Sequence, residues 1–99
     1  MAFIAQTLTH GDKVYTTTIL NGASSAEINL GRNSRFLVTT TGAYHIKFGP
    51  ASLADAAATD TYFPSGSVAV WDLGRAHESI KLFNDSGSTI TYWVTVLST

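Results

Sequence analysis

The chain has 99 residues; 44% are hydrophobic, only 13% are charged, and the formal net charge is −1. That length is one domain with one core, and its charged share is about half the usual figure of about 25%. The charge balance offers nucleic acid no basic footprint, the lack of cysteine excludes disulfides and thiolate metal sites, and no apolar run approaches the roughly 18–20 residues that span a bilayer.

Residues 1–12 begin apolar, at Phe3 and Ile4, and reach a turn cluster at His10-Gly11-Asp12. They lack the basic stretch and long apolar run of a secretory signal. They are expected to form an N-terminal arm or edge strand ahead of a single domain over 13–99, in a soluble protein made in a cytoplasm. Lys13 to Leu20 (KVYTTTIL) reads as a strand rich in β-branched and aromatic residues, closed by an Asn21-Gly22 turn. Ala26 to Leu30 is a short strand ending at Gly31. Ser34 to Thr41 (SRFLVTTT) is a stronger one, and after Gly42 the next strand, Ala43 to Phe48, follows at hairpin spacing. There Tyr44, Ile46 and Phe48 share a face, and His45 and Lys47 take the outward one.

Gly49-Pro50 opens ASLADAAATD, where Ser52 and Asp55 match an S-x-x-D capping pattern that could cap one helical turn. Long apolar residues at helical spacing are missing, so the stretch is expected to be an inserted loop. Thr61 to Phe63 precedes a Pro64-Ser65-Gly66 turn. Ser67 to Leu73 alternates, with Val68 and Val70 on one face and Trp71 on the other. In Glu78 to Asn84, Ile80 and Leu82 face inward and Lys81 and Phe83 the opposite way. The Asp85-Ser86-Gly87 turn leads to Thr89–Leu97 (TITYWVTVL), whose Ile90, Tyr92, Val94 and Val96 form one face while Trp93 sits among threonines on the other. About eight strands at this spacing predict an all-β protein, an antiparallel β-sandwich with a jelly-roll-like winding as one arrangement.

Chemistry is hard to place on this pattern. His10, His45 and His77 show no metal-ligand spacing. The carboxylates Asp12, Glu27, Asp55, Asp60, Asp72, Glu78 and Asp85 fall mainly at strand ends and turns, where Asp bonds local backbone. No G-x-S-x-G and no glycine-rich phosphate loop is present. Asn84-Asp85-Ser86 matches the N-glycosylation sequon but reads as a turn. The expectation is therefore no catalytic residue, no cofactor and no metal: a protein that is not an enzyme.

Surfaces remain. Tyr92 and Trp93, Leu82 and Phe83, and Val70 and Trp71 are adjacent pairs that a regular strand cannot turn to the same side. A large apolar residue on the second face is covered either by a loop such as 50–60 or by a partner. Aromatic enrichment with charge depletion is what interface cores show. Trp71, Phe83 and Trp93 are thus candidate interface residues, with Phe3 and Ile4 as arm contacts.

The stretch from Ala43 to Val96 resembles small virion proteins of tailed bacteriophages. The residues that carry this are Ile46-Lys47-Phe48-Gly49, the Ala/Thr-rich loop closing at Thr59-Asp60-Thr61, Tyr62-Phe63-Pro64-Ser65-Gly66, and the later strands joined through Asn84-Asp85-Ser86-Gly87. Proteins of this look are often β-sandwich capsid decoration, or cement, proteins. The resemblance implies a virion subunit with major capsid protein or other virion proteins as partners, working as a homo-oligomer, a trimer by preference. It also implies that the arm over residues 1–12 could add as a strand to a neighbour. The alternatives are a neck, tail or fibre-base component of the virion and a carbohydrate-binding β-sandwich module. Neither nucleic acid nor membrane is an expected partner.

Overall fold

A computed structural model describes residues 13–66 and 68–98. Eight strands follow one another without a helix: β1 (Lys13–Ile19), β2 (Ile28–Asn29), β3 (Arg35–Thr40), β4 (Tyr44–Gly49), β5 (Thr61–Phe63), β6 (Val68–Asp72), β7 (Ser79–Asn84) and β8 (Ile90–Ser98). They pair into two four-stranded sheets, sheet A in the order β1-β8-β3-β6 and sheet B in the order β2-β7-β4-β5. Every pairing is antiparallel. The sandwich expected from the sequence is present. The anticipated arm, with Phe3 and Ile4, lies outside the described residues.

Each strand passes to the opposite sheet except at the step from β4 to β5. The β3–β4 connection is therefore not the hairpin its spacing suggests. Both strands have an apolar face to bury (Phe36 and Val38; Tyr44 and Ile46), and crossing between layers buries both against one core. Gly42 makes the crossing tight enough: a Cβ there would stand 2.6 Å from Ile90 Cγ2.

The inner layer is mainly apolar. Phe36, Val38, Tyr44, Ile46, Ile80, Leu82, Ile90, Tyr92 and Val94 are buried in one cluster, so an interior that in an eight-stranded closed barrel can hold one small ligand is here filled by side chains. The four alternate residues of β8 predicted to face inward do so. Burial pushes the Tyr44 phenol up to about 12 and also raises that of Tyr92. Tyr44 stacks on Phe63 at 5.5 Å, and its hydroxyl has no partner among the described residues.

Trp71 is a correction. It points into the sandwich, half-buried, with its ring 5.0 Å from Phe48 and edge-on to Phe63 at 5.2 Å. Val68 and Val70 take the outward face. Alternation separates Val70 from Trp71 but does not say which is inside. At the sandwich margin, the bulk that meets Phe48 and Phe63 decides it.

Candidate functional site

The outer face of sheet B is closed by the chain itself. Loop 50–60 lies across it, with Ala56 buried. Glu27 anchors the loop: its carboxylate accepts bonds from the amides of Ser52 (3.2 Å) and Leu53 (2.7 Å) and from the Ser79 hydroxyl (2.8 Å). These donors, Ser79 first, hold the Glu27 carboxyl below its ordinary value. The Ala56 amide donates to Ser24 Oγ at 3.0 Å, and Lys81 Nζ donates to Asp55 at 2.9 Å. No helical turn forms. Ser52 has a φ of 66°, and Asp55 serves Lys81 instead of a cap.

That cover explains two sequence expectations. His45 lies on the second face of β4, as alternation requires, yet it is buried. Its Nδ1 lies 3.0 Å from the Asp60 carbonyl, which can only accept, so Nδ1 carries the proton. Phe83 is half-buried beside it, ring centroids 6.0 Å apart. Its other neighbour across the sheet is Ser24, in an isolated antiparallel bridge.

The outer face of sheet A has no such cover among the described residues. Strand register sets Val14, Thr95, Leu37 and Val70 in one cross-strand row, and Thr16, Trp93, Thr39 and Val68 in the next. Val14, Val68 and Val70 are more than half exposed, and Trp93 is 40% exposed. The charged groups described on this face are Arg35 and Asp72, cross-strand partners at 3.1 Å that neutralise each other at one margin. Four strands at about 4.8 Å spacing, with three outward residues each, present roughly 400 Å². That area is shared by threonines, the Arg35–Asp72 pair and the apolar Val14, Leu37, Val68, Val70 and Trp93. It is about half of the ~800 Å² per partner in a standard interface. The sequence found Trp93 but missed Val14, Val68 and Val70, because a valine on a strand signals only that the strand is there.

Asn84 is fully buried. Its amide donates to the carbonyls of Ile19 (2.8 Å) and Ser88 (2.7 Å), and its Oδ1 accepts from the Ser86 amide and hydroxyl. The sequon asparagine is thus a structural pin for the β7–β8 loop.

Two sheets wound in these orders define a jelly roll, the class that includes the double-stranded β-helix. Solved structures agree. The chain is similar to a de novo designed double-stranded β-helix, with a TM-score of 0.61 and 16% identity over 85% of this chain and 97% of that one. A protein from Thermotoga maritima described as a predicted oxalate decarboxylase gives a TM-score of 0.57 and 10% identity over 92% of this chain and 70% of that one. The capsular polysaccharide assembling protein CapF from Staphylococcus aureus gives 0.57 and 18% over 91% of this chain, but only 25% of that one. At these identities the likeness is one of fold. No family model and no curated protein matches the sequence.

Proposed function

We propose that this protein is a non-enzymatic virion subunit, a capsid decoration protein that binds coat subunits through the outer face of sheet A and stabilises the head. The observation that carries the reading is that face: all four strands contribute, it displays Thr, Val, Leu and Trp, and its one described charge pair is self-neutralised. The pattern of turns between Ala43 and Val96 supports a phage setting, and the jelly roll is a winding that viral capsid domains use. The mechanism is adhesion. A face of roughly 400 Å² binds modestly alone, but a homo-oligomer, and many copies on one shell, multiply the effect through avidity. The same face would serve a neck, tail or fibre-base position, which immunogold labelling of virions separates from the head.

The test has two parts. Light scattering on the purified chain should give a trimer. Capsid shells stripped of accessory proteins should then take it up saturably, and Trp93→Ser should weaken uptake at least about tenfold with the fold unchanged. A monomer that ignores shells would overturn the proposal.

A further inference from the structure

Antiparallel winding gathers the β3–β4, β5–β6 and β7–β8 connections at one end of the sandwich. A cavity of about 400 Å³ opens between them, within the range of about 300–1,000 Å³ typical of small-ligand sites. Its wall includes Tyr62, Asp85, Ser65, Ser88 and Thr89. Tyr62 and Asp85 are both more than half exposed. The loop that carries Asp85 does not need to be ordered by a ligand, because the buried Asn84 already holds it on both sides.

Buried His45 packs behind Tyr62 and lies beside Asp85. The register makes Phe83, His45 and Tyr62 a cross-strand row over β7, β4 and β5. The Tyr62 ring lies against the imidazole at 5.1 Å. With Nδ1 committed to the Asp60 carbonyl, Nε2 lies 3.5 Å from Asp85 Oδ2 and makes no hydrogen bond among the described residues. The cavity wall thus carries an aromatic face, backed by the row, and a carboxylate whose Oδ1 has no partner among the described residues.

We propose that this cavity binds a neutral saccharide, with Tyr62 stacking on the apolar face of a sugar ring and Asp85 accepting its hydroxyls. An exposed ring supplies apolar contact at low entropic cost. A carboxylate is an acceptor-only group suited to donating hydroxyls. The hydroxyls of Ser65, Ser88 and Thr89 provide further polar contacts at the rim. A single uncompensated carboxylate in the wall disfavours an anionic sugar. The site is independent of the sheet A face, so either proposal stands if the other fails.

The experiment is an amide NMR titration of the full chain with methyl glucoside, methyl galactoside, methyl mannoside and N-acetylglucosamine, with N-acetylneuraminic acid as the anionic contrast. At least one neutral sugar should shift the amides of Tyr62, Asp85 and Ser86 saturably, with a Kd of about 1–10 mM. Tyr62→Ala and Asp85→Asn should each weaken that binding at least about tenfold, while Tyr62→Phe retains it. Arg75→Gln, on the β6–β7 connection at the opposite end, should change nothing. The proposal is overturned if no neutral sugar shifts the cavity amides at about 100 mM, if N-acetylneuraminic acid binds more tightly, or if Tyr62→Ala binds as well as the native chain.

Discussion

The outer faces of the two sheets start from the same alternating strands and end differently. Sheet B carries ionic and aromatic groups outward (Lys47, Lys81, His45, Phe83), and loop 50–60 covers it through bonds to Glu27, Ser24 and Lys81. Sheet A carries Thr, Val, Leu and Trp outward, and its one described charge pair, Arg35 and Asp72, is satisfied within the face. A covering loop must satisfy its own backbone, and loop 50–60 does so on sheet B through the Glu27 carboxylate and the Ser24 hydroxyl. Among the described residues, nothing comparable crosses sheet A.

Substitutions can break this contrast, and the largest effect belongs to the layer both faces share. Leu82→Ala, at a fully buried position, should cost about 2–5 kcal/mol in urea unfolding. Next comes Asn84→Ala, which removes a donor from the Ile19 and Ser88 carbonyls and the acceptor of the Ser86 amide and should cost at least about 2 kcal/mol, with faster amide exchange across residues 85–89. On the sealed face, Glu27 makes stability depend on pH. Its folded value lies below the ordinary 4.5, so its contribution is complete above that value and is lost as pH falls through the depressed one. Glu27→Gln should flatten the acid limb of the stability–pH curve and speed exchange at the Ser52 and Leu53 amides. Tyr44→Phe removes a buried hydroxyl that has no partner among the described residues and should be neutral or stabilising by up to about 1 kcal/mol. On the open face, Val70→Ser should move stability by no more than about 0.5 kcal/mol while weakening shell uptake. Unfolding by Val70→Ser would show that sheet A is covered after all.

Individual residues show how far the chain can be read unaided. Ile90, Tyr92, Val94 and Val96 were legible as a core face because β-branched and aromatic residues repeat every second position. The turns at Asn21-Gly22 and Pro64-Ser65-Gly66 were legible from their residue types. Trp71 was not, since alternation leaves the inside undecided where a strand carries apolar residues on both faces. His45 was set on the correct face, but its burial was not legible, because nothing local reveals that Asp60, fifteen positions on, would come back over it. Tyr62 and Asp85 carry no joint signal at all.

By itself the sequence determined the number and kind of elements, their turns and most of the core, because these depend on neighbours one to four positions apart. Only the tertiary structure decided which layer each strand joined, which outer face was sealed, and that Tyr62, His45 and Asp85 meet. Those outcomes depend on contacts between segments far apart along the chain, where many pairings suit the local pattern and packing of the whole selects one.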